Sequence, residues 1–275
     1  MDIVLPIVLT GYGICMALAV YALSVKRAVL PRVSAAGLAA GFAAQTIWLI
    51  HRGVTAGRCP LLGIQEVSAF FSWSLVTAYL IAQRWYRTMA LKAFVFPIVF
   101  LLSSVAAIVP GKPESFQEAN QPLAQVLMPV HVALIILAYA AFFISFGAGL
   151  MYIIQERELK HKRFGPIFYR LPSLDTCDAI SFKSVAVGFV LLTLGLLAAM
   201  ALSHARDGSY WHGDPTEMFS VVTWLVYLVI IQSRVTAGWG GRNAAFATII
   251  GFVLVMCSLA GLRYLDTLHV LRVLG

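Results

Sequence analysis

The run VLMPVHVALIILAYAAFFISFGAGLMYII, residues 126–154, decides the fold. It contains no Asp, Glu, Lys or Arg. A helix needs about 20 predominantly apolar residues to cross a bilayer, so this one crosses with turns to spare. Its continuation, QERELKHKRF, is abruptly charged and sets Glu156/Lys160 and Glu158/Lys162 at i,i+4 spacing. That is the pattern of a helix leaving lipid and continuing in water. Similar apolar runs lie at 3–25, 33–51, 64–83, 93–110, 184–203, 217–233 and 244–264. The sequence therefore predicts an all-α polytopic membrane protein with about eight transmembrane helices, forming a single integral-membrane domain over 1–275. The first run is long enough to span and has no basic segment before it, which argues against a cleavable leader.

Composition agrees. Of 275 residues 60% are hydrophobic and 12% charged, and the mean hydropathy is +0.86. A water-soluble domain has too little interior to hide that much apolar surface. The net charge of +8 sits in short connectors between apolar runs. This fits membrane orientation and not a nucleic-acid footprint, so no nucleic-acid partner is expected. Alternate connectors hold fourteen and six of the twenty Lys and Arg. The positive-inside rule places the richer set in the cytoplasm and both termini outside. The longest connector, about 155–183, is then cytoplasmic and basic. Cys15, Cys59, Cys177 and Cys257 form no CxxC or CxxCH pattern, so no redox, zinc or covalent haem site is predicted. Cys15 and Cys257 read as small packing residues.

In this topology His51, His131, His204, His212 and His269 gather at the outer surface, while His161 alone is cytoplasmic. Any one of them is an ordinary interfacial residue. Together they form a set of imidazoles, common ligands of metals and of haem iron. His212 lies in SYWHGDPTEMFSVVTW (209–224), beside Tyr210 and Trp211, whose flat rings suit stacking on a macrocycle. Aromatic belts at the interface are the competing account of such rings. Asp214, Pro215 and Glu217 read as an N-cap, a first helical residue and the third position of a capping box. Gln45 and Glu66 are the only features near the midplane that favour a transporter, a weaker reading.

The segment DGSYWHGDPTE, 207–217, resembles the tryptophan-rich signature WGxYWxWDPKE of cytochrome c assembly proteins of the CcsA/ResC type. Gly208, Tyr210, Trp211, Asp214, Pro215 and Glu217 match; Asp207 and Gly213 replace tryptophans and Thr216 replaces the lysine. The segments 128–160, 171–195 and 223–252 are also similar to family segments. GRCPLLGIQEVSAFFSW, 57–73, resembles the family's GHFPLxxxxES region, with Arg58 where histidine stands. The family's GLHSY reads here Gly261-Leu262-Arg263-Tyr264, again without its histidine. These departures are similar to the shorter HemX-like branch.

The resemblance implies haem b, held non-covalently, exported to or presented at the outer face for c-type cytochrome assembly. The loop 204–217 would cup the ring and His131 would be one axial ligand. The second would be His269, with His212 as the alternative. Tyr210 and Trp211 would cover a face, Asp214 and Glu217 would orient the loop, and Arg206, Arg52 and Arg58 would be available to the propionates. His51 is the nearest substitute for the histidine lost at Arg58. The implied setting is the bacterial inner membrane. A membrane partner with a periplasmic domain, of the ResB/CcsB kind, and apocytochrome c would be the partners. This chain would be one component of a haem lyase and would supply no catalytic residue alone. The HemX-like alternative is a regulator of glutamyl-tRNA reductase level, acting through the 155–183 connector.

Overall fold

The computed structural model describes residues 4–24, 30–61, 63–86, 88, 90–109, 122–162, 165 and 168–273; for 22–24, 30–32, 122–125 and 258–273 it describes the backbone alone. Eight helices cover the described residues: α1 (Val4–Ser24), α2 (Leu30–Ala56), α3 (Ile64–Tyr86), α4 (Ala90–Ile108), α5 (Pro122–Lys160), α6 (Leu174–Asp207), α7 (Pro215–Val235) and α8 (Gly241–Val273). The first seven are long and apolar enough to cross a membrane, and α8 contributes an apolar stretch over Gly241–Cys257. The chain is thus an all-helical, multi-pass membrane protein. Helices alone can satisfy their own backbone polar groups in lipid, which is why the apolar runs take this form.

The helices form two groups. α1 packs on α2 and α4, and α3 on α4; α6 and α8 pack on α5, and α7 on α6 and α8. α5 also touches α3 and α4 and so joins the two groups. Close approach of α1 and α2 requires Gly11: a Cβ there would stand 2.8 Å from the Gly37 carbonyl oxygen. Lipid tails are as apolar as the side chains, so such backbone approach and interhelical hydrogen bonds take over from hydrophobic burial as the adhesive. Gln45 shows this on α2. It accepts from the Tyr12 hydroxyl at 2.6 Å, and its amide donates to the Ala69 carbonyl at 2.7 Å and to Ser72 Oγ. Those bonds tie α1, α2 and α3 together, and they account for Gln45 without a transported substrate. In the second group the Phe142 ring stacks on Tyr227 at 3.5 Å between centroids, and Ser145, Ser181 and Thr248 link α5, α6 and α8.

Three expectations need correction. The connector predicted at 155–183 is short: α5 continues through Lys160, as its charged extension led one to expect, and α6 starts at Leu174, not 184. Ser173 caps α6 by accepting from the Thr176 N–H. Asp178, in the second turn of α6, accepts a bidentate pair from Arg234 at 2.9 and 2.6 Å and a bond from the Gly241 N–H at 3.0 Å. The Glu156–Lys160 pair forms at 2.7 Å. The Glu158–Lys162 pair does not, because Lys162 lies beyond the helix with φ of 51°. Cys15 is buried as predicted, whereas Cys257 is exposed.

Candidate functional site at the end of the bundle

The end of α6, the start of α7 and the first turns of α5 share one end of the bundle. α6 stops where Gly208 takes φ of 73° and returns its N–H to the His204 carbonyl. The chain then turns through Ser209–Gly213 and enters α7, with Pro215 in the first turn. Asp214 occupies the N-cap position with extended backbone but makes no side-chain cap bond. Glu217 does that work instead: its carboxylate accepts from the N–H groups of His212 and Gly213, both at 2.8 Å. The expected reciprocal box is therefore one-sided, and its longer arm folds the 209–213 turn back on the helix.

That turn displays its rings. Tyr210 is 55% and Trp211 48% exposed, so neither serves as core. Tyr210 stacks face to face on His204, 4.0 Å between centroids and 6° between planes. His204 was in the predicted outer set but was given no role, and it supports the loop's first ring. Its sequence sign was its position four residues before the αL glycine, one turn below the loop. His212 Nδ1 lies 3.0 Å from Ser203 Oγ. The same ring lies 3.6 Å from Asp207 and 3.5 Å from Glu217. It is thus oriented between two carboxylates. Arg206 is exposed and pairs with Asp207 at 3.1 Å.

His131, on α5, stands lower. Its Nδ1 is 2.8 Å from the carbonyl oxygen of Gly195 on α6. A carbonyl only accepts, so Nδ1 must carry the proton, which leaves the lone pair on Nε2. Ligating histidines typically hold their second nitrogen in this way. Gly195 packs closely on α5: a Cβ there would stand 2.7 Å from the Ile135 Cδ1 methyl, which would have to move. Gly195 and Ser203 are eight residues apart, roughly 12 Å along α6, so His131 lies below the loop on the side from which α6 rises. Among the described residues no group of three or more His, Cys, Asp and Glu could hold a bare metal ion. The side chain of His269 lies outside the described residues; its backbone is part of α8.

Arg58 and Arg52 form a separate cluster at the same end. Both pair with Glu66, which is nearly fully buried, through Arg58 Nη1 at 2.9 Å and Arg52 Nε at 3.1 Å. Arg58 lines a groove of about 640 Å³ between α2 and α3 whose far wall is Ala133 on α5. His51 is exposed on α2 and does not line it. Ala133 and His131 are two residues, about 200°, apart on α5. The groove and the His131–Gly195 contact therefore occupy opposite sides of that helix.

The sequence pattern described as Cytochrome C assembly protein matches residues 61–269. The cytochrome c biogenesis protein CcsA of Guillardia theta is 27% identical over 239 residues, covering 80% of this chain and 78% of its own. CcsA of Prochlorococcus marinus strain NATL2A is 28% identical over 249 residues, with the same two coverages. CcsA of Microcystis aeruginosa is 26% identical over 281 residues, covering 86% of each chain.

Proposed function

Because the chain belongs to the cytochrome c assembly protein family, we propose that it binds haem non-covalently at the 204–217 end and presents it for c-type cytochrome formation. The family and the relatives named CcsA support a role in cytochrome c biogenesis. The observation that carries the haem reading is the hydrogen bond from His131 to the Gly195 carbonyl, which fixes the ring and offers Nε2 as a ligand.

The remaining roles follow from geometry. Tyr210 and Trp211 offer flat faces, Tyr210 backed by His204. Glu217 holds the turn that aims them, and Asp214 starts α7 without touching the ligand. Arg206 is the guanidinium beside the loop for a propionate. The His212 ring, set between Asp207 and Glu217, suits a donor to a propionate better than an iron ligand, so the second axial role falls to His269. Helix register supports this. Gly149 of α5 packs on Thr248 of α8, and the two helices run antiparallel. Going back from Gly149 to His131 and forward by the same number along α8 reaches about residue 266, roughly one turn short of His269.

Haem iron supplies the redox and ligand chemistry when bound; this chain's residues position it. The Lys and Arg distribution supports an orientation with this end outside the cytoplasm, and a bacterial inner membrane is the setting this reading calls for. A membrane subunit with a periplasmic domain and apocytochrome c are the partners this reading calls for. The relatives named CcsA favour the assembly reading over the regulatory alternative.

The test is a reduced-minus-oxidised spectrum of the chain purified in mild detergent. Sharp reduced bands of a bis-histidine haem are expected, weakened strongly in His131→Ala and His269→Ala but not in His212→Ala. A folded chain that takes up no haem on reconstitution, or a His131→Ala variant with unchanged bands, would overturn the reading.

A further inference from the structure

We propose that the groove between α2 and α3 holds an anionic phospholipid of the surrounding bilayer. Its phosphate would sit on Arg58, which lines the groove, with one acyl chain along the Phe70–Trp73 wall. This inference stands apart from the haem reading, on the other side of α5.

Three observations carry it. The first is charge: two guanidiniums face one carboxylate, since Arg52 and Arg58 share Glu66. The cluster therefore retains one positive charge, and its member in the 57–63 connector, half-buried Arg58, lines the groove at the end of two spanning helices. Basic pockets between transmembrane helices recognise anionic lipid heads in this way.

The second is shape and chemistry. Below Arg58 the groove is walled by Leu49, Val54, Pro60, Phe70 and Trp73. It opens sideways past Ile50 and Val54, which are 62% and 76% exposed. On a membrane-spanning helix such exposed apolar side chains face acyl chains, so a lipid enters without passing through water.

The third is rigidity. Trp73 Nε1 donates to Thr46 Oγ1 at 2.9 Å, and its ring stacks between Phe42 and Phe70 at 5.6 and 5.7 Å. The wall is built before a ligand arrives, which lowers the ordering cost of binding. Arg58 occupies the position at which the resembled motif has a histidine. Its guanidinium cannot ligate iron but pairs readily with a phosphate.

Native mass spectrometry of the detergent-purified chain, titrated with phosphatidylglycerol or phosphatidylcholine, tests this. The chain is expected to retain one phosphatidylglycerol at concentrations about five-fold lower than phosphatidylcholine, the ratio that roughly 1 kcal/mol per basic residue gives. Arg58→Gln, which leaves Arg52 and Glu66 as a balanced pair, should abolish that preference, and Arg58→Lys should keep most of it. Val54→Trp fills the groove from its open side without touching the charges and should abolish retention. Equal retention of both lipids by the unaltered chain, or full retention in Val54→Trp, would overturn the proposal. Added haem gives a further check. Uptake that survives His131→Ala but is lost in Val54→Trp would make the groove a porphyrin seat and also overturn it.

Discussion

Two polar clusters stand at the same end of this bundle and are built in opposite ways. In the α2–α3 cluster Glu66 is 2% exposed and lies beneath two arginines. In the 204–217 loop Arg206 pairs with Asp207 and the His212 ring lies between Asp207 and Glu217, all close to solvent, and the large side chains that accompany them, Tyr210 and Trp211, are exposed. The difference is one of desolvation. A buried carboxylate must be paired or it is very costly, whereas an exposed one is hydrated whatever its neighbours do. The first cluster is thus a structural clamp with one cation left over. The second is a presented surface whose charges set direction more than stability.

The sharpest way to break that contrast is Glu66→Gln. It leaves two partly buried guanidiniums facing each other, and removal of one partner from a buried pair costs about 3 kcal/mol or more. Thermal unfolding in detergent should show a large loss, and the double variant Glu66→Gln/Arg58→Gln should recover a substantial part of it. If the single variant is as stable as the parent, the clamp is no clamp.

Gly195→Ala comes next and joins structure to site. The added methyl meets Ile135, and overpacking of this kind costs about 1–3 kcal/mol. Because Gly195 also accepts from His131, the same shift should broaden or displace the haem bands in proportion to the lost stability. A destabilised variant with unaltered bands would show that the carbonyl does not orient His131.

Legibility in the sequence followed the range of the interaction. The helices were visible because runs such as 126–154 contain no charge at all, and a bilayer admits few other structures. The start of α6 was not: Asp175, Asp178 and Lys183 precede the apolar run, and the partner of Asp178, Arg234, lies fifty-six positions away. The loop's aromatic and acidic residues stood out in a chain poor in charge, so the candidate surface could be read directly. The Gly195 carbonyl could not: a backbone acceptor leaves no mark in sequence. Asp214 marked the correct helix start, but the acceptor proved to be Glu217, which takes the N–H groups of His212 and of the αL residue Gly213 (φ of 75°).

The smallest effects separate the loop's own charges. Glu217→Ala removes the acceptor of two backbone N–H groups and should cost about 1 kcal/mol, the usual worth of a helix-start contact. Asp207→Asn alters an exposed pair and should change stability by less than about 0.5 kcal/mol. Both act locally, so global unfolding is a poor probe and loop opening a good one. Trypsin cleavage after Arg206 reports the opened loop when closing outpaces cleavage. One kcal/mol then corresponds to roughly five-fold faster cutting. Glu217→Ala should therefore be cut several-fold faster, Glu217→Gln only slightly faster because its amide oxygen still accepts, and Asp207→Asn at the parent rate. Equal acceleration in Glu217→Ala and Asp207→Asn would mean that summed charge holds the turn, and the distinction between an aiming carboxylate and its hydrated neighbours would be lost.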